Sequence, residues 1–428
     1  MAAKTKLYLM QKRILENQFF VHTGLIPLGA LGALCATIGL RRRAVSLLSQ
    51  VHRTARVPLV RRMVEPYIFA NRDVAYRAEQ VGQNQDVSRH FGKRISVLKE
   101  PGTDGERGVL FVMFSEMLSL VLATMDVRKL AKDFTIVAEP SWSGYCDEVF
   151  LRFTQLEEDV FVLAAQQDDY AFLQRLHSNL IPVDLGPCDW VDPRVAEPYV
   201  HNRKEFDIVM NSHWGSWKRH HVLFRMLSQA KRRYKVLLIG SSWTGTSAAE
   251  VLALADHFKV REQLTIVEDI PYEKVMDLTC RARVSVLLSL KEGSNRAIAE
   301  SIFCNVPVIV LANHVGGIIK NVRPETGLLV KEEKLEGAIE ELLDRELRPR
   351  EWGTENVSFL RSTEKLNAIL RSHSLQRGRP WTRDIVARSN SPESTYAVPS
   401  DAKRLAPWNE ALSSYLLAPL GEKTDDAV

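Results

Sequence analysis

The chain has 428 residues, two to three times the usual single-domain length, so two domains are the default. Its apolar fraction of 45% and charged fraction of 25% are those of an ordinary globular protein, and a formal charge of +5 permits attraction to anionic surfaces without indicating nucleic acid. The five cysteines are scattered, odd in number and without paired metal-ligand spacing, which argues against a disulfide framework or a zinc site and favours reduced thiols in a cytosolic setting.

Residues 19–40 are largely apolar, about 22 positions, enough to cross a hydrocarbon core of ~30 Å. From Arg41 to Arg62 there follow seven arginines and no acid. A cleaved signal fits the Arg41-Arg42-Arg43 block poorly. Three arrangements remain: a single span that keeps the arginines and the enzyme in the cytosol, an interfacial hairpin loosened by Gly24, Pro27, Gly29 and Gly32, or a buried helical pair with solvated arginines. The expectation is membrane contact, with peripheral attachment preferred. Residues 44–64 read as an amphipathic helix broken near Pro58.

Alternation of strand-like and helix-like stretches begins near Arg94. Strands are expected at 95–98, 109–114, 134–138, 160–164 and 181–183, with helices at 116–130, 146–155 and 170–176, as in βαβ units of a parallel sheet. The loop 139–145 offers Glu139 and aromatic rings to a sugar or serves as a plain turn, and Asp168 is placed to cap a helix. The turn-rich stretch 185–202 reads as the interdomain linker.

In the second half, strand 206–210 leads into a loop with His213 and Lys218, strand 234–239 into Gly240 to Thr246, and strand 264–267 into Asp269-Ile270. The apolar run 284–288 then enters Lys291-Glu292-Gly293-Ser294-Asn295-Arg296, followed by a short helix with Glu300 and a second apolar run, 306–311. Glu292 falls in the loop after a strand and Glu300 two helical turns on, so both can face the crevice at the carboxyl end of a parallel sheet.

This ordered set resembles the family 4 glycosyltransferases of the GT-B type: two glutamates eight apart, then Asn305-Val306-Pro307-Val308, Gly316-Gly317 and Thr326-Gly327-Leu328-Leu329-Val330. The resemblance covers about 94–370 and implies an α/β fold of two Rossmann-like domains facing a central crevice, here with a helical amino-terminal extension. The implied divisions are 1–90 for a basic, membrane-associated extension, 91–197 for the acceptor domain and 203–345 for the donor-binding domain. Crossing helices follow at 346–372, and an irregular tail with a final helix at 373–428. The Arg, Ser and Pro content of 376–403 supports the irregular reading.

The implied activity is transfer of a hexosyl-type unit from a nucleotide-sugar cosubstrate, with retention and no bound metal; no Asp-x-Asp motif occurs. By the same resemblance Glu300 takes the ribose hydroxyls, Glu292 the donor sugar, and Lys218 the diphosphate. Gly293, Ser294 and Asn295 touch sugar and phosphate, Ile270 lies beside the base, and Gly316 and Gly317 approach the phosphates. His213 stands where relatives have an arginine, so one permanent charge is missing, and Arg296 is the candidate to compensate. The expected acceptor is a glycan or lipid-linked sugar. The expected location is the cytoplasmic face of an anionic membrane surface, peripherally or anchored, with no nucleic-acid partner. The alternative is a catalytically inactive nucleotide-sugar-binding or assembly subunit; an epimerase or a phosphorylase on the same scaffold is a further rival, without an evident pyridoxal-phosphate lysine.

Overall fold

The computed structural model describes residues 7–12, 16–55, 57–74, 86–140, 148–243 and 245–417. The loop positions 141–145 singled out above lie outside them. In the first sheet β1 (Ile95–Lys99), β2 (Gly108–Met113), β3 (Phe134–Glu139), β4 (Val160–Leu163) and β5 (Leu180–Val183) lie side by side in chain order, β1 antiparallel to β2 and the rest parallel. Every residue of β2 is buried, as an unbroken Gly-Val-Leu-Phe-Val-Met run requires of a strand covered on both faces.

Sequential order has a consequence. Right-handed crossovers between parallel neighbours taken in sequence all fall on one side of the sheet, so the other side needs a different cover. Phe111, Val137 and Phe161 are in register across β2, β3 and β4 and therefore share a face. Phe111 meets Trp190 edge-on at 5.6 Å and lies 4.2 Å beneath the Arg388 guanidinium, while Phe161 meets His373 at 5.0 Å.

That face is thus roofed by the linker and the carboxyl-terminal chain. Leu366, Leu370, Ile385, Val386, Tyr396, Leu405 and Leu412 all join the core of the first sheet. The span expected to be irregular instead forms β12 (Arg388–Asn390) paired with β13 (Ser394–Tyr396), followed by the helix Pro399–Ala411. Its polar residues are spent on the edge of β1: Asn409 Oδ1 accepts from the Val97 amide at 2.9 Å, and the Tyr396 hydroxyl donates to the Val97 carbonyl at 2.8 Å. A strand edge left open would otherwise present unpaired backbone groups.

The second sheet contains β6 (Phe206–Asn211), β7 (Val236–Gly240), β8 (Leu264–Glu268), β9 (Ala282–Leu287), β10 (Val308–Leu311) and β11 (Gly327–Val330). All are parallel, in the order β11-β10-β9-β6-β7-β8. The winding reverses between β6 and β9, which opens a crevice at their carboxyl ends.

The extension touches both halves. Val45, Leu48 and Ile68 enter the first core, while Tyr8 and Leu9 pack on the second. Gly32 lets the helix Gln18–Thr37 approach its neighbour, since a Cβ there would stand 2.8 Å from Leu48. Among the described residues no helix is long and apolar enough to cross a membrane. Asp168 does not cap its helix: Gln166 does, accepting from the Asp169 amide at 2.9 Å, and Asp168 instead pairs with Arg61 at 3.3 Å.

Glu139, read either as a sugar contact or as part of a plain turn, is fully buried at the end of β3 and does not present its carboxylate to a ligand. Burial pushes its pKa up to about 8, with the nearby Arg388 opposing. Because the folded value lies above the unfolded one, the neutral acid is favoured in the native state. The contribution of Glu139 to stability is then greatest below about pH 4 and is lost as pH rises from about 4 to about 8. Glu139→Gln, which cannot ionise, is expected to abolish this decline, a gain on the order of 4 kcal/mol at pH 8 that shrinks toward acid pH, read from urea unfolding at several pH values.

Candidate active site

The loops after β6 and β9 meet at the reversal point. After β6 the chain passes through His213 and Gly215, makes a 3-10 turn over Ser216–Lys218, and enters the helix His220–Gln229 through Arg219, held in the left-handed region at φ 63°. Arg219 anchors this kink: its guanidinium donates to the Leu288 carbonyl beyond β9 at 3.1 Å and pairs with Glu332 at 2.7 Å and Glu16 at 2.9 Å. The turn therefore points Lys218 toward the β9 loop.

After β9, Asn295 caps the helix Arg296–Phe303, its Oδ1 accepting from the Ile298 amide at 3.0 Å. Its Nδ2 donates to Glu292 Oε2 at 2.7 Å, and Lys218 Nζ donates to Glu292 Oε1, also at 2.7 Å. Lys218 and Glu292 are each 7% exposed. Burial alone would raise the Glu292 pKa, but the Lys218 charge and these hydrogen bonds outweigh it and hold the carboxyl below its ordinary value.

The pair opens on a cavity of about 300 Å³ between the two halves. His213, Trp217, Lys218 and the run from Glu292 to Arg296 form one wall; Phe114, Pro187 and Asn390 form the other. Six of the expected residues besides Lys218 are thus brought together: Glu292, Gly293, Ser294, Asn295, Arg296 and His213.

His213 does not supply the missing charge. Burial, then the nearby Lys218, lowers its pKa to about 4, and its ring is stacked on Trp243 at 4.9 Å and edge-on to Trp217 at 4.8 Å. Its ring proton resonances are expected to stay flat between pH 8 and about pH 5.5 and to move only below about pH 5, where an unperturbed histidine would titrate near 6.5. An NMR titration compared with His213→Gln, to assign the signal, checks this.

Four expected residues do not line the cavity. Glu300 is 3% exposed, covered by Arg296, whose Nε lies 3.0 Å from Oε1, and by the Tyr272 hydroxyl, which donates to the same oxygen at 3.0 Å. Arg296 also donates to the carbonyls of Asn390 and Pro392, which draws it toward the carboxyl-terminal hairpin. Gly316 and Gly317 brace the Glu292 loop from behind. The Gly317 amide donates to the Gly293 carbonyl at 2.8 Å, and a Cβ on Gly316 would stand 2.7 Å from that carbonyl. Ile270 packs in a small cluster beyond β8.

Phe114, Pro187 and Asn390 escaped the residue reading because a single strand-loop motif cannot reveal what a distant segment folds against it. Trp217, which also lines the cavity, carries one signal in the sequence, its adjacency to Lys218. Among the described residues no group of three or more His, Cys, Asp or Glu is placed to hold a metal ion.

Two α/β domains facing a cleft, the second doubly wound with its site at the reversal point, and a helical extension before them define a GT-B-like fold. Residues 193–357 match the family model described as glycosyl transferases group 1, so the second domain is related to those proteins. Among solved structures, the chain is similar to a sucrose-phosphate synthase from Thermosynechococcus elongatus, with 22% identity and a TM-score of 0.46 over 63% of this chain and 73% of that one. It is also similar to HepE from Anabaena in complex with UDP and glucose, with 13% identity and a TM-score of 0.47 over 61% and 78%. A glycosyltransferase from Rickettsia africae matches at 16% identity and a TM-score of 0.42 over 60% and 80%. None of the curated proteins compared matches the chain.

Proposed function

We propose that the protein transfers a hexosyl-type unit from a nucleotide-sugar donor, with retention and without a bound metal, to a glycan or lipid-linked acceptor at the cytoplasmic face of an anionic membrane. The observation that carries the reading is the Lys218–Glu292 pair, contributed by the two strands that flank the reversal point and lining the cleft. The match of 193–357 to the glycosyl transferases group 1 model supports it.

When the sugar leaves, negative charge grows on the departing diphosphate, and a fixed ammonium meeting it lowers the barrier. Lys218 has that role, Glu292 accepts hydroxyls of the donor sugar, and the amides of Gly293, Ser294 and Asn295 face sugar and phosphate. The bond from anomeric carbon to phosphate oxygen breaks as the acceptor oxygen attacks from the same side, and the leaving phosphate takes the acceptor proton. Arg296 covers Glu300, so for the ribose to reach Glu300, Arg296 and Tyr272 swing aside and Arg296 turns to the diphosphate.

The neutral His213 and the covered Glu300 favour one other reading, a nucleotide-sugar-binding subunit without turnover. The purified chain is incubated with a panel of nucleotide sugars and membrane-derived acceptors, and nucleoside diphosphate release is measured. Acceptor-dependent release supports transfer; tight binding with no release across the panel would replace it with the binding subunit.

A further inference from the structure

The described residues leave eighteen large apolar side chains exposed, and ten of them lie between Leu7 and Met63. The densest run is on the helix Gln18–Thr37 and the turn after it. Leu25 and Cys35 are buried on the inner side, while Ile26, Leu31, Leu34 and Ile38 stand 67%, 48%, 55% and 61% exposed on the outer side. Between Gln18 and Leu40 the only titratable residues are His22 and the buried Cys35, so this helix is apolar all round yet covered on one side only. A helix of that kind in water has an unmet partner. Met63 and Leu59, at 74% and 66%, add a second apolar point on the helix Pro58–Ala70, whose preceding residue Val57 donates its amide to His22 of the first helix.

We propose that this face docks into the interface of an anionic phospholipid bilayer, lying in it and not crossing it. This rests on the membrane-surface reading above, to which it adds the face, the lipid chemistry and the orientation. The strip is about 30 Å long, the length of twenty helical residues. Its end is flanked by Arg41, Arg42 and Arg43, all exposed, with exposed Arg62 on the helix beside it and no acid from Arg41 to Arg62. Apolar side chains entering the acyl boundary beside arginines at the level of the lipid phosphates match the two halves of an interfacial site.

The same charges disfavour a second copy as the occupant. A two-fold contact through this face would set one arginine cluster near its own duplicate, where like charges repel. The helix Arg41–Thr54, packed against the helix Gln18–Thr37, is also tied to the cleft: Lys291, next to Glu292, donates to the carbonyl of Arg53 near its end at 2.6 Å. Docking would therefore hold the extension that braces the β9 loop on the side of the lipid-linked acceptor proposed above.

The test is co-flotation of the full chain with phosphatidylcholine vesicles, with and without phosphatidylglycerol. Binding is expected to rise on the order of tenfold with the anionic lipid and to fall again when salt is raised. Leu34→Glu with Ile38→Glu, both at exposed positions, is expected to lose at least about tenfold in vesicle binding with an unchanged thermal midpoint. Equal binding by the variant, or indifference to phosphatidylglycerol, overturns the proposal. So does a dimer without lipid, seen by sedimentation velocity, that the variant disperses. Nucleoside diphosphate binding, measured by calorimetry on both chains, separates the two claims: if it fails while vesicles bind, the donor site falls and the docking face stands.

Discussion

Lys218→Ala is expected to lower turnover about 10²–10³-fold, the usual cost of removing one fixed donor from a site where charge develops on a leaving group. It also weakens the fold. Glu292, 7% exposed in the native protein, loses its ammonium partner, and removing one member of a buried ion pair costs about 3–5 kcal/mol. In the native protein the Glu292 pKa lies below its unfolded value, so the pair's contribution is present above the ordinary carboxylate range and is lost as pH falls through the folded value. Without Lys218, burial, already the largest single influence, loses its main opponent and pushes that pKa up. The variant's deficit should then be largest at neutral pH and shrink toward pH 4, as urea unfolding at pH 7 and pH 4.5 would record. Lys218→Met with Glu292→Gln should regain much of the stability and none of the turnover. A double variant as unstable as the single one, or a Lys218→Ala enzyme with near-normal release, would contradict this account.

Ending the chain after Gln376 is expected to abolish folding of the first domain. The deletion strips Ile385, Val386, Tyr396, Leu405 and Leu412 from its core. At about 1.5–3 kcal/mol per large apolar side chain, the loss comes to about 8–15 kcal/mol, comparable with the whole stability of a domain. The loss of the Asn409 and Tyr396 bonds to Val97 would also reopen the β1 edge to strand pairing between molecules. The expected result is aggregation on expression and no cooperative melting transition from the first sheet. Leu405→Ala gives a graded check: Leu405 is fully buried, and its truncation should cost about 2–5 kcal/mol. A truncated chain that melts cooperatively near the native temperature would show the roof to be dispensable.

Both results turn on what one stretch of chain can say about itself. The strands were legible at 109–114, 134–138, 206–210, 264–267 and 284–288, each within two residues of its observed ends. For β2, β3 and β9 the reason is that buried parallel strands read as continuous apolar runs, while the less buried β6 and β8 kept enough β-branched and apolar residues to be read. The loop from Glu292 to Arg296 was legible for a related reason: the capping Asn295, the short helix and the preceding strand are neighbours in sequence as well as in space. The carboxyl-terminal roof was not, since a segment rich in Arg, Ser and Pro has no periodicity, and its order comes from β1 and from Phe111, nearly three hundred residues earlier.

Local pattern, then, was enough for strands of the two α/β halves and for the turn from β9 into the helix that Asn295 caps, because each rests on residues within about ten positions of one another; Lys218 and Glu292, 74 positions apart, were linked only by the resemblance. Long-range packing alone settled that Glu139 is sealed in the first core, that Glu300 lies under Arg296 and Tyr272, and that His213 is neutral among indole rings. Burial and the placing of a charge partner are properties of the whole packed chain: they depend on which distant side chains arrive, and no single stretch carries that information.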